Sequence, residues 1–214
     1  MLPAFVWLFF WLMEDRCQPE PKRYIFYAFL AGMIAVPLVL PFEDFAAQYL
    51  TGFSLLLAWA ALEETFKFTA AYVAALRKRV FDEPLDAIIY MVTAALGFSA
   101  LENVLFLFTP LYQGDALHAF VLGDLRFMGA TLIHTLASAT IGFALAFSFY
   151  KSPRVRRWSA LGGVILATVL HACFNFFILQ GSDALIWTFV LLWVGIIVVL
   201  LLVERTKEPA KDYC

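Results

Sequence analysis

Seven apolar stretches, separated by short polar segments, follow one another along the chain. They cover about residues 2–13, 24–40, 49–76, 85–108, 123–150, 158–179 and 184–203. An α-helix needs about 20 residues to cross the hydrocarbon core of a bilayer, and only the first stretch is clearly shorter than that. The pattern predicts an all-α, polytopic transmembrane helical bundle of about seven spans, folded as a single domain over residues 1–214.

Positive charges fall on alternate loops between these spans. Lysine and arginine follow the first, third, fifth and seventh spans, whereas the opposite loops carry acidic residues and no lysine or arginine. Because positive loops stay on the cytoplasmic side, we expect the N-terminus outside and the C-terminus in the cytoplasm. The positive residues are Arg16, Lys22 and Arg23; Arg77, Lys78 and Arg79; Lys151, Arg154, Arg156 and Arg157; and Arg205, Lys207 and Lys211.

Composition agrees with a membrane protein and disfavours several other classes. Hydrophobic residues make up 63% of the chain and the mean hydropathy is +0.83, against about 45–50% apolar residues in soluble domains. No basic and aromatic surface of the kind that binds nucleic acid is evident. Cys17, Cys173 and Cys214 form no Cys-x-x-Cys pair, so neither a disulfide framework nor a zinc ribbon is indicated.

The third span carries three charged side chains, Glu63, Glu64 and Lys67, inside an otherwise apolar run. Ionisable groups at membrane depth are costly unless they pair or face water, so such a cluster indicates a functional site. At about 100° per residue the three side chains share one helix face. The pattern predicts a carboxylate pair suited to acid–base chemistry. The alternative is a structural cluster of polar side chains whose contacts hold neighbouring helices together.

Polar residues also interrupt three later spans. They are Glu102 and Asn103 in the fourth span, Arg126 and His134 in the fifth, and His171 and Asn175 in the sixth. Cys173 lies about 200° from His171 around the helix and so points away from it. Counted from the outer ends of the spans, Glu102, His171, His134 and Glu63 lie at depths of about 10, 14, 18 and 22 Å. We expect four helices to converge on one water-filled cavity that is reached from the outer side.

These motifs, in this order, resemble those of the PrsW family of intramembrane proteases, which are related to C-a-a-X prenyl-protein endopeptidases and to bacteriocin-processing and immunity proteins. The resemblance rests on Glu63-Glu64-x-x-Lys67, Phe98-x-x-x-Glu102-Asn103, Arg126 followed by His134, and His171-x-x-x-Asn175, in a core of about residues 48–180. The prenyl-protease relatives carry Phe-x-x-x-His where this chain has Phe98-x-x-x-Glu102, so their mechanism does not transfer unchanged.

The resemblance implies a substrate and a location. It implies an intramembrane endopeptidase of the site-1 type, which cuts a single-span membrane protein such as an anti-sigma factor near its extracytoplasmic side. The enzyme would be a multi-pass protein of a bacterial inner or plasma membrane, with the lipid bilayer and the substrate as partners and no nucleic acid.

The mechanism that we favour from the sequence is glutamate-dependent and uses no cofactor. Glu63 is the expected general base, with Glu64 as the second choice, and His134 or Glu102 orients the water. His171 and Asn175 donate to the developing oxyanion, where one donor contributes about 3–4 kcal/mol. The expected supporting residues are Lys67, Asn103 and Arg126.

The alternative mechanism depends on zinc. Glu63, Glu102, His134 and His171 offer enough oxygen and nitrogen ligands for a catalytic zinc site. However, the His-Glu-x-x-His motif of zinc proteases is absent.

Two functions of other classes remain open from the sequence. Intramembrane carboxylates and histidines also occur in proton-coupled membrane transporters, although we find no convincing internal repeat of the kind that many transporters contain. A non-catalytic binding or immunity protein is the third alternative, and the intact set of polar motifs disfavours it.

Overall fold

The computed structural model describes residue 9, residues 20–180 and residues 183–206, and within them it contains helices and no strand. Seven helices are described: α1 Lys22–Ala47, α2 Gly52–Ala71, α3 Pro84–Tyr112, α4 Ala116–Met128, α5 Ala130–Phe147, α6 Pro153–Gln180 and α7 Asp183–Thr206. A π-helical turn, Tyr72–Leu76, continues α2. The prediction of an all-α fold is confirmed.

Four of these helices, α1, α3, α5 and α6, are long and apolar enough to cross a membrane, and α7 contains a shorter apolar helix, Ile186–Leu202. Helix α2 has 20 residues but carries three buried charges, which set it apart from the other long helices. The chain is a multi-pass membrane protein. The count of seven spans and the orientation of the termini stay predictions, and the span predicted over residues 2–13 lies outside the described residues apart from Phe9.

The structure corrects two boundaries predicted from the sequence. The fifth predicted span, residues 123–150, is not one helix, because α4 ends at Met128 and α5 begins at Ala130. Gly129 lies at the break, where its backbone freedom makes helix continuation costly. Helix α1 does not end near residue 40 but continues through Pro37 and Pro41 to Ala47, as prolines are tolerated within membrane helices.

Helix α3 is the centre of the bundle, and its residues from Leu85 to Ala100 are buried on every side. Helix α1 crosses it closely: a Cβ on Gly32 would lie 2.0 Å from the carbonyl oxygen of Ala94, and one on Gly97 would lie 2.0 Å from that of Phe29. Small residues allow this close contact between membrane helices. The two glycines therefore fix the distance between α1 and the helix that carries Glu102.

Helices α1, α3, α5, α6 and α2 form a closed ring in which each helix packs on the next. Helix α4 packs on α3 and α5, and α7 packs outside the ring on α5 and α6. Large apolar side chains such as Phe26 and Trp187 stay exposed on the outer faces, as expected for surfaces in contact with lipid. Glu63 of α2, Glu102 of α3, His134 of α5 and His171 of α6 lie inside the ring.

Candidate active site

A cavity of about 690 Å³ lies inside the helix ring. Its walls come from α1, α2, α3, α5 and α6, with Arg126 contributed by α4. The polar groups that line it are Glu43, Asp44, Glu63, Glu102, Arg126, His134, His171 and Asn175. The cavity that was expected where four helices converge is therefore present.

Lys67 is fully buried and is the cation at the centre of the α2 cluster. Its Nζ lies 2.6 Å from Oε1 of Glu64 and 3.5 Å from Oε2 of Glu63. It also lies 2.8 Å from Nδ1 of His134 and 4.7 Å from the centre of the Phe98 ring. The closer of its two ion pairs is the one with Glu64, which the sequence could not decide.

His171 is held by Glu64 in one orientation. Its Nδ1 lies 2.9 Å from Oε1 of Glu64, and Ser138 Oγ donates to the other oxygen of the same carboxylate at 3.3 Å. A carboxylate only accepts hydrogen bonds, so Nδ1 of His171 carries the proton. The other ring nitrogen, Nε2, lies 4.0 Å from Oε2 of Glu63.

His134 is held in the same way by Glu102. Nε2 of His134 lies 2.9 Å from Oε2 of Glu102. Because the Lys67 ammonium only donates, Nδ1 of His134 accepts and the ring proton lies on Nε2, which donates to Glu102. Nδ1 lies 3.7 Å from Oε2 of Glu63, and the rings of His134 and His171 stand edge to face with centres 4.9 Å apart.

Oε2 of Glu63 is the atom on which these groups converge. It is buried and has no hydrogen-bond partner within the described residues. A buried polar atom without a partner costs about 1–3 kcal/mol, and more when it is charged. An oxygen that lies between two imidazole nitrogens and beside a cavity is arranged to contact water, a substrate or a cation.

A second network fixes Glu102. Arg126 Nη2 lies 2.6 Å from Oε2 of Glu102, and its Nε donates to Oδ1 of Asn103 at 2.7 Å. Asn103 Nδ2 donates in turn to Oγ1 of Thr131 at 3.1 Å, and Ser99 Oγ donates to the same oxygen at 3.0 Å. Arg126 comes from α4, so the break at Gly129 separates the helix that carries this arginine from the helix that carries His134.

The structure brings together eight of the nine residues proposed from the sequence in one network of hydrogen bonds and ion pairs, which Glu63 joins through its ion pair with Lys67. The ninth, Asn175, lines the same cavity. Cys173 is half-buried and does not line the cavity, in agreement with its position around the helix. The sequence reasoning missed Glu43 and Asp44, because the span ending near residue 40 assigned them to a loop. Trp59, also missed, lines the cavity and donates from Nε1 to the carbonyl oxygen of Glu43 at 3.0 Å.

One group of ligand atoms fits a metal ion. One atom each from Glu63, His134 and His171 lies within 4.8 Å of the others. Metal-bound histidines usually donate their second nitrogen to a carboxylate, and here Glu102 and Glu64 accept those hydrogen bonds. Glu102 therefore supports His134 from its far side in this arrangement. One oxygen and two nitrogen ligands with room for water match a catalytic zinc site.

A family model described as "PrsW family intramembrane metalloprotease" matches residues 20–203 of the chain. The chain belongs to the PrsW family. Similar relatives are each named Protease PrsW. That of Clostridioides difficile is 25% identical over 92% of this chain and 84% of its own length. The Bacillus subtilis protein is 25% identical over 85% of this chain and 81% of its own length. The Oceanobacillus iheyensis protein is 27% identical over 96% of this chain and 93% of its own length. No solved structure matches the chain.

Membership of the PrsW family makes the chain an intramembrane protease and a hydrolase. It confirms the family that the ordered motifs resemble and favours proteolysis over the transporter and binding-protein alternatives. The description of the family names metalloproteases, so the expectation of a reaction without a cofactor is not confirmed.

Proposed function

We propose that this PrsW-family chain is an endopeptidase that cleaves a single-span membrane protein at the Glu63–His134–His171 site. The observation that carries the proposal is the buried Oε2 of Glu63, which has no hydrogen-bond partner within the described residues and lies near one nitrogen of each histidine beside a large cavity. A site that hydrolyses peptides needs a proton acceptor next to a space for water and substrate. Glu63 and the cavity supply both.

Glu63 is the residue that we assign to proton transfer. It takes a proton from water as the water oxygen bonds to the scissile carbonyl carbon, and it returns that proton to the leaving amine as the carbon–nitrogen bond breaks. Lys67 keeps Glu64 ionised through the 2.6 Å ion pair, so Glu64 holds His171 while Glu63 exchanges the proton. Asn175, which lines the cavity, donates to the developing oxyanion. The Nδ1 proton of His171 is already donated to Glu64, so it is not available for that role.

A metal-dependent reaction is the second candidate, supported by the ligand geometry and by the description of the family. Glu63, His134 and His171 would hold a zinc-type cation, which when bound polarises the carbonyl and makes its bound water more acidic. Lys67 contacts the same Nδ1 of His134 that such a cation would use, so the two cations compete for this nitrogen. Loss of cleavage after chelation, restored by zinc, would select this candidate, and cleavage that persists in chelator would select the first.

The helix ends around the cavity support cleavage on the extracytoplasmic side. The cavity is lined by the C-terminal parts of α1, α3 and α6, including Asp44, Thr109 and Leu179. The loops that follow these three helices are those that lack lysine and arginine and are expected outside. We propose a site-1-type cut near the outer end of the substrate span, with an anti-sigma factor as the substrate class that the family resemblance implies.

The test is a mass-spectrometric census of new protein N-termini in membranes. Cells that make the wild type are compared with cells that make Glu63→Gln at equal abundance, at rest and under envelope stress. Asp82→Asn, the same kind of change at an exposed loop position, is the matched control. We expect new termini at the outer edge of a single-span protein with the wild type and the control only. Identical termini with Glu63→Gln would reject the proposal.

A further inference from the structure

A second cavity, of about 210 Å³, lies at the opposite end of the bundle from the active-site cavity. Leu76 and Leu145 are buried at its apolar floor, and Phe68, Tyr72 and Phe81 form aromatic walls. Four elements border it: the end of α2, the loop that precedes α3, the helix α5 and the start of α6. This is the end that the positive loops place on the cytoplasmic side.

Two arginines lie at the edge of this apolar groove. Arg156 is half-buried, and its guanidinium carbon is 5.6 Å from the centre of the Phe81 ring and 5.8 Å from that of Phe149. Arg157 also lines the groove and is exposed. Within the described residues, no ion pair with a carboxylate is found for either guanidinium. The groove therefore combines apolar walls with two positive charges that no carboxylate of the described part of the chain neutralises.

The position of these charges in α6 is electrostatically unfavourable without an anion. Helix α6 begins at Pro153, and Arg154, Arg156 and Arg157 follow within its first five residues. Its first turn contains no acidic residue. Cations are disfavoured at a helix N-terminus, where the helix dipole is positive, and anions are favoured there. An anionic group bound at this end would relieve both the mutual repulsion of the arginines and their repulsion by the dipole.

The backbone of α2 is also irregular at this groove. The π-helical turn Tyr72–Leu76 ends with the N–H of Arg77 donating to the carbonyl oxygen of Tyr72 at 3.2 Å, an i→i+5 bond. π-helical turns are rare and frequently occur at functional sites. The first and last residues of this turn, Tyr72 and Leu76, both line the groove. The irregular turn is thus an independent observation that points to the same place.

We propose that this groove binds one anionic phospholipid of the cytoplasmic leaflet, such as phosphatidylglycerol. Arg156 and Arg157 bind its phosphate by charge-assisted hydrogen bonds, and part of an acyl chain lies against Leu76 and Leu145. Basic pockets between membrane helices on the cytoplasmic side bind anionic head groups in this manner. The site goes beyond the proteolytic function and does not depend on it.

The test measures phosphatidylglycerol binding to the full-length chain in a neutral detergent by native mass spectrometry. Phosphatidylcholine with the same acyl chains tests the requirement for net negative charge, and glycerol phosphate tests whether the head group alone is enough. We expect one tightly bound phosphatidylglycerol, weak phosphatidylcholine binding and no saturable binding of glycerol phosphate. Tighter binding of glycerol phosphate than of the lipid, or equal binding of both lipids, would overturn the proposal.

A pair of double variants separates the groove from general surface charge. Arg156→Gln with Arg157→Gln should weaken phosphatidylglycerol binding by about ten-fold or more, because the phosphate loses both of its partners. Lys151→Gln with Arg154→Gln removes the same charge from neighbouring positions that do not line the groove and should weaken binding far less. Equal losses in the two double variants would show diffuse attraction to the surface and would overturn the proposal.

A cavity-filling variant gives a readout that does not alter charge. Ala160 lines the groove and is partly buried, so Ala160→Phe should displace the acyl chain and abolish the saturable phosphatidylglycerol binding. The melting midpoint of each variant without added lipid confirms that it is folded. Undiminished binding by a folded Ala160→Phe variant would also contradict the proposed site.

Discussion

Helix α3 carries a carboxylate in each of two clusters, the buried Asp86 near its start and the half-buried Glu102 in its second half. The two clusters differ in what surrounds them. Near its start, Oδ2 of Asp86 accepts the backbone N–H groups of Asp82 and Glu83 at 2.9 Å each, and Tyr90 donates to Glu20. Neither of the cavities described above includes these residues.

The other cluster contains Glu102 together with Glu63, and its charges face the large cavity. Here the carboxylates contact charged and histidine side chains, several of them from other helices, and Oε2 of Glu63 has no hydrogen-bond partner within the described residues. Oδ1 of Asp86 also lacks a hydrogen-bond partner there, so the difference is that Glu63 lies beside a cavity. The comparison shows that burial alone does not identify a catalytic carboxylate. Hydrogen bonds from the backbone at the start of its own helix indicate a structural role for Asp86, and the position beside the cavity indicates chemistry for Glu63.

Among the residues around Glu63, the largest expected effect is at the histidines. His171→Gln should lower cleavage by about 10²–10⁴-fold, because the ring nitrogen facing Glu63 is lost. Cys173→Ala, on the same helix but not lining the cavity, is the matched control and should cleave normally. Purified protein is assayed for cleavage, melting midpoint and bound metal. Normal cleavage by His171→Gln would remove this histidine from the mechanism.

A smaller loss is expected at Glu102, which acts through another residue. Glu102→Gln keeps the size of the side chain but weakens its hold on His134 and Arg126, and supporting carboxylates of this kind are worth about 10–100-fold in activity or metal affinity. We expect a lower kcat with KM little changed, since positioning of His134 and not substrate binding is affected. An effect as large as that of Glu63→Gln would instead place Glu102 among the groups that react.

The helical fold could be predicted well from the sequence, because the bilayer requires long apolar stretches. The boundaries of the individual helices could not be predicted in the same way. The second predicted span ended at residue 40, just before Pro41, but proline is tolerated within membrane helices and α1 continues to Ala47. The break at Gly129 could not be distinguished from the other glycines of the apolar spans, because packing against α3 and α5 decides where α4 ends.

The residues that form the site could be predicted from the sequence, but the contacts between them could not. Charges within apolar spans are conspicuous, which is why Glu63, Lys67 and Glu102 were found. Side-chain directions depend on how the helices pack, so the preference of Lys67 for Glu64 was not accessible. Ser99 was missed for a different reason: a serine is an ordinary residue in a membrane helix, and only the structure shows its hydrogen bond to Thr131.

The smallest expected effect is at the structural cluster. Asp86→Ala removes the acceptor for two backbone N–H groups at the start of α3, which should destabilise the protein by about 1–2 kcal/mol. The melting midpoint should fall, while cleavage per folded molecule stays at the wild-type value. If Asp86→Ala had a normal melting midpoint but did not cleave the substrate, the assignment of Asp86 to a structural cluster and of Glu63 to a catalytic one would be contradicted.

The most direct test of the central claim uses purified protein in liposomes with a single-span substrate identified by the census of N-termini. Wild type, Glu63→Gln and Asp86→Ala are compared at equal amounts of folded protein, and the rate of formation of the new N-terminus is measured. We predict equal rates for wild type and Asp86→Ala, and a loss of about 10³-fold or more for Glu63→Gln, as when a group that reacts is removed. Cleavage by Glu63→Gln at a rate near that of the wild type would contradict the claim that this carboxylate performs the reaction.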